Sequence, residues 1–139
     1  MKLNVKRWVS AGLAAAAVNL VLDAVIHGRL LMGLYQQTAS VWRPTADAQA
    51  KMGLMTLGNV LFGLVCAWLY AGGYEPAKSG LGQGVRFGLA IGALLSILYA
   101  CVWYVVLPIP AQLAAGWVAS ALVEGVCTGA VVGLLYRRA

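Results

Sequence analysis

Asn19-Leu20-Val21-Leu22-Asp23-Ala24-Val25-Ile26-His27 is the stretch whose reading decides the fold. Asn19, Asp23 and His27 stand four residues apart inside an apolar segment that begins near Trp8. In an α-helix, side chains at i, i+4 and i+8 share nearly one face. Ala11 and Ala15 prolong that face toward the N-terminus, while the other faces carry Leu, Val and Ile. An acid and an imidazole are costly in lipid, so a membrane helix turns such a row toward protein or water. The stretch therefore predicts a bilayer span with one polar seam.

The rest of the chain supports a membrane setting. Only 10% of its residues are charged and 62% are hydrophobic, whereas a soluble domain carries about a quarter charged residues. The mean hydropathy is +0.83. Several apolar runs reach the ~20 residues that cross a ~30 Å hydrocarbon core as helix. They are continuous rather than alternating, which argues against a transmembrane β-barrel. At 139 residues the chain is one domain, 1–139. The expected fold is all-α, an integral membrane four-helix bundle with spans at about 8–27, 51–70, 85–107 and 111–136.

Residues 1–7 with the Ala-rich run after them resemble a signal peptide. The apolar segment continues through Val18-Asn19-Leu20-Val21-Leu22, so an uncleaved first span is expected. Between spans one and two, Leu30, Leu31, Leu34, Tyr35, Thr38, Val41 and Trp42 keep helical spacing. That predicts an extended or interfacial helical connection, broken at Arg43-Pro44. Thr45 is placed to cap the next helix, with Asp47 in its first turn. Residues 71–84, rich in glycine and holding Pro76, read as a loop, and Leu107-Pro108-Ile109-Pro110 as a short connection.

The net charge of +6 comes from basic residues at helix ends, where they meet headgroups and set topology; nucleic acid is not an expected partner. Lys2, Lys6, Arg7, Lys78, Arg86, Arg137 and Arg138 fall on one side, and Arg29, Arg43 and Lys51 on the other. This imbalance predicts an N-in/C-in bundle with both termini cytoplasmic. Asn19, Asn59 and Glu124 then lie near mid-membrane, Asp23 farther out, and His27 at the outer boundary.

Two kinds of polar or small-residue pattern remain. Gly84, Gly88 and Gly92 in span three, and Gly125, Gly129 and Gly133 in span four, form ladders at a spacing that lets helix backbones approach closely. Asp23, His27, Glu124, Asn19 and Asn59 are the candidate ligand- or proton-binding residues. Asn, Ser and Thr in spans commonly bond one helix to another, but two intramembrane acids need compensation. A Glu-x-x-His bundle motif is absent, and His27 is the single histidine, so neither a metal site nor a haem is expected. Cys66, Cys101 and Cys127 form no CxxC pair and read as small hydrophobes. Without a phosphate loop, nucleophile elbow or dinucleotide fingerprint, no cofactor is expected, and a membrane enzyme is a distant third reading, since acid and base candidates exist but no nucleophile signature does.

The polar first helix (Asn19, Asp23, His27, with Tyr35 after it), the Gly-x-x-x-Gly third span followed by Tyr99, Trp103 and Tyr104, and the acid Glu124 in span four together resemble small four-span bacterial membrane proteins of unknown function. The resemblance implies a multi-pass protein of the bacterial cytoplasmic (inner) membrane. Two functions compete. In one, the seam is an outward-opening cluster that binds or passes a proton, a cation or a small polar ligand. In the other, the chain is a structural or accessory subunit, in a homo-oligomer or a larger membrane complex, docked through its glycine ladders.

Overall fold

The computed structural model describes residues 3–137; Lys2 and Arg138 of the charge balance lie outside them. Among the described residues, four helices are long and apolar enough to cross a bilayer: Val5–Leu30, Met52–Gly73, Gly80–Val106 and Ala111–Leu135. Large apolar side chains such as Leu54, Leu61, Leu94 and Val105 point outward, as expected where the surrounding solvent is lipid tail rather than water.

The ends of these helices differ from the sequence reading for local reasons. Span one starts a turn early because the Asn4 side chain accepts a bond from the Arg7 N–H at 3.2 Å, satisfying one of the free donors at the helix start. Span three starts at Gly80 rather than Val85. Gly80, Gly82 and Gly84 are helical, and no described glycine has a positive φ. Gly80 and Gly84 serve close packing against Gly133 and Gly129, so the real loop shrinks to residues 74–79. Thr45 does not cap. It is the first residue of a short helix, Thr45–Ala50, preceded by Pro44. Asp47 is paired there with Arg43 and Lys51, and these two cations hold its carboxyl below the usual carboxylate range.

The connection between spans one and two is helical, as its spacing indicated. It consists of Met32–Gln37 and a 3-10 turn at Ala39–Val41. Instead of trailing away, it folds back onto the start of span four. Leu31, Leu34, Tyr35, Val41 and Trp42 pack against Ile109, Leu113, Ala114 and Trp117.

Span one touches spans two and four, and span four touches span three most extensively of all. The closest approaches occur where side chains are smallest. A Cβ on Gly88 would overlap the Gly125 carbonyl, and one on Gly84 the Gly129 carbonyl. The two glycine ladders thus face each other within the chain. Gly12 and Gly63 make a similar crossing between spans one and two.

Spans two and three, in contrast, barely approach each other. They meet at the end of the bundle that carries the chain termini, where Tyr70 packs edge-on to Phe87 at 5.7 Å and its hydroxyl donates to the Gly80 carbonyl at 3.1 Å. Tyr74 and Tyr136 complete that aromatic plug, and Asn4 donates to the Arg137 carbonyl beside it. Toward the other end a cavity lined by Gly58 and Phe62 of span two and Leu95 and Tyr99 of span three lies between them, and Asn19, Asp23 and Glu124 also line it.

Candidate functional site

The polar row of span one meets partners from two other helices. Asn19 donates to Asn59 Oδ1 at 2.6 Å, and Asn59 reaches Asp23 Oδ2 at 3.4 Å. Thr128 of span four donates to Asn19 Oδ1 at 3.4 Å. Both asparagines are buried, so these amides find in each other the partners that lipid cannot offer. Spans one, two and four are joined at this level.

One to two turns farther along, Asp23, His27 and Glu124 converge. Nε2 of His27 lies 3.7 Å from Asp23 Oδ1 and 3.9 Å from Glu124 Oε1. These separations permit charge attraction but exceed hydrogen-bond length. One ligand atom from each residue falls within 4.8 Å of the others. Glu124 Oε1 is buried with no hydrogen-bond partner, an uncommon condition for a buried polar atom. The three groups are therefore arranged around a shared point rather than bonded to each other. An imidazole and two carboxyl groups at such a point could share a proton, ligate a cation or receive an ammonium head.

His27 is oriented from its far side. Its Nδ1 is 2.7 Å from the Tyr35 hydroxyl, which also accepts from Trp117 Nε1–H at 2.7 Å. With Trp117 donating, the hydroxyl proton can go to Nδ1, and Nε2 is the nitrogen aimed at the acids and at Ser120, 3.4 Å away. The path of the backbone makes this possible. Ile26–Leu30 is a π-helical segment, which widens the turn carrying His27; such π turns recur at functional sites. A second π segment, Tyr99–Trp103, sits across the site in span three.

A cavity of about 750 Å³ adjoins the cluster. Asp23 and His27 form part of one wall, and Tyr35, Trp42, Tyr99, Trp103 and Trp117 much of the rest, with Met52 and Met55 from span two. A second cavity of about 380 Å³ contains Asn19, Asn59 and Glu124 in its lining and shares Asp23, Met55 and Tyr99 with the first. Burial of the Tyr35 phenol raises its pKa, an effect that the Trp117 hydrogen bond partly opposes.

All five polar residues singled out in the sequence line this region or bond within it. The aromatic residues were not singled out as site residues. Tyr35 and Trp117 are 82 positions apart, and the helical spacing of the connection gave its amphipathic face but not the surface it would cover. The glycine ladders lie between spans three and four, and of their residues only Gly125 also lines the smaller cavity. No family model, curated protein or solved structure matches the chain.

Proposed function

We propose that this is a ligand-binding protein of a bacterial cytoplasmic membrane, with both termini inside and the Asp23–His27–Glu124 cluster at the base of an outward-facing cavity. Its ligand is a cation, held by the two carboxyl groups while Tyr35 fixes the imidazole. The observation that carries this reading is the convergence of three ionisable side chains beside a cavity of about 750 Å³. Structural bonding between helices is already supplied one level away by Asn19, Asn59 and Thr128. The accessory-subunit reading lacks comparable support, because its proposed docking faces, the glycine ladders, are packed against each other.

Calorimetric titration of the detergent-purified chain with Zn²⁺ and with methylammonium tests the proposal. Saturable binding of at least one is expected, weakened about tenfold or more in Asp23→Asn and Glu124→Gln, since losing one partner of a desolvated charge pair costs upward of ~1.4 kcal/mol. Absence of saturable binding of any cation probe, or binding that both variants retain in full, refutes it.

A further inference from the structure

We infer that the ligand is an amphiphilic organic cation that enters sideways from the bilayer, through the gap between spans two and three. This rests on the cation-binding reading and names the class of cation. Three observations lead to it.

The first is charge. The linings of the two adjoining cavities, which share Asp23, Met55 and Tyr99, include Asp23 and Glu124 but no lysine or arginine. A positive head is complementary to that pair, and an anionic head is not.

The second is the wall. A proton or a metal ion needs only the point where Asp23, His27 and Glu124 converge, whereas 750 Å³ falls in the range of cavities that enclose small organic molecules. Tyr35, Trp42, Tyr99, Trp103 and Trp117 come from three different parts of the chain to line it. Aromatic faces attract organic cations, more strongly where water is excluded. Met52 and Met55 supply unbranched, polarisable side chains that adapt to an irregular apolar body.

The third is the route. The connection folds across the open end of the bundle and packs on Leu113 and Trp117. The flank, however, is where spans two and three make few contacts with each other. Between them the smaller cavity is lined by Gly58 and Phe62 on one side and Leu95 on the other, with Glu124 also in its lining. A ligand dissolved in lipid would meet the acids there without crossing the polar surface of the membrane.

Gly58 makes the route testable, because the position is exposed and a Cβ added there meets nothing within 4 Å. The chain in lipid nanodiscs is titrated with tetraphenylphosphonium, with tetraphenylborate (similar in shape but negative) and with methylammonium. Tetraphenylphosphonium should bind and tetraphenylborate should not. Asp23→Asn and Glu124→Gln should weaken phosphonium binding at least about tenfold, the scale of a lost desolvated cation contact. Gly58→Phe should slow phosphonium association while methylammonium binding persists.

Equal binding of tetraphenylborate, or unchanged phosphonium association in Gly58→Phe, overturns the inference. Binding of methylammonium or Zn²⁺ without phosphonium leaves the cation site standing and removes the amphiphile. A gap filled by a second copy of the chain would appear as a dimer mass that Gly58→Phe reduces to a monomer, which also overturns the inference. If the wild type binds none of these probes, both readings fall.

Discussion

The hydroxyl of Tyr35 lies 2.7 Å from Nδ1 of His27, eight residues before it in the chain. That contact ties the connection between spans one and two to the polar seam of span one. It also places one end of the imidazole under the control of a residue outside the membrane-spanning helices. The same hydroxyl accepts from Trp117 of span four, so one oxygen links the connection, the first span and the last.

Tyr35→Phe removes that oxygen and little else. The Trp117 indole N–H, on a side chain only 8% exposed, loses its acceptor, and a buried donor without a partner costs about 1–3 kcal/mol. A lower thermal midpoint is expected, together with weaker cation binding because the imidazole is free to turn. Wild-type stability in Tyr35→Phe would show that the contact does not hold the connection in place.

Alkaline pH should find the same residue. Burial raises the Tyr35 pKa, the Trp117 hydrogen bond lowers it in part, and the charge of Asp23 raises it again. With the folded pKa above the unfolded value of about 10, folding favours the neutral phenol. The associated stability is complete below about pH 10 and is lost as pH rises through the elevated value. Unfolding curves between pH 9 and about pH 12 should therefore fall more steeply for wild type than for Tyr35→Phe. Parallel curves would mean that Tyr35 titrates alike in both states.

The ladders give a sharper steric test. At Gly88 an added methyl would overlap the Gly125 carbonyl, whereas at Gly72, also helical, it would meet nothing within 4 Å. Gly88→Ala should destabilise by about 1–3 kcal/mol, the usual cost of overpacking. Gly72→Ala should be neutral or stabilising by up to ~1 kcal/mol through helix propensity. Thermal unfolding of the two variants in one detergent checks the contrast, and equal midpoints would refute close packing of the two ladders.

Much of this was visible in the sequence, and the division has physical causes. The four spans were legible because a bilayer imposes a length and composition that local sequence must meet. The row Asn19–Asp23–His27 was legible because helix periodicity converts spacing into direction. Glu124 could be suspected as a partner since an intramembrane acid needs one. What periodicity cannot supply is which helix lies next to which. Glycines 80 to 84 looked like a loop because glycine serves both turns and close packing, and only the facing Gly129 and Gly133 decide between them. Tyr35 and Trp117 were hidden for a related reason. Each carries an unremarkable aromatic signal, and their meeting depends on the connection folding back over the bundle.

The last prediction separates the bonding level of the seam from its binding level. Asn19 and Asn59 are joined at 2.6 Å, and interhelical bonds of this kind contribute about 0.6 kcal/mol on average and up to ~1.7 kcal/mol. A double-mutant cycle with Asn19→Ala and Asn59→Ala should give a coupling energy in that range, measured by reversible unfolding. The two single variants should nevertheless differ in binding. Asn59 also reaches Asp23 Oδ2, so its loss releases the Asp23 carboxyl and should weaken cation binding severalfold. The contacts of Asn19 are to Asn59 and Thr128, neither of which belongs to the convergent triad, so Asn19→Ala should change stability more than affinity. Equal losses of affinity in both variants would mean that the asparagine pair and the triad act as one unit.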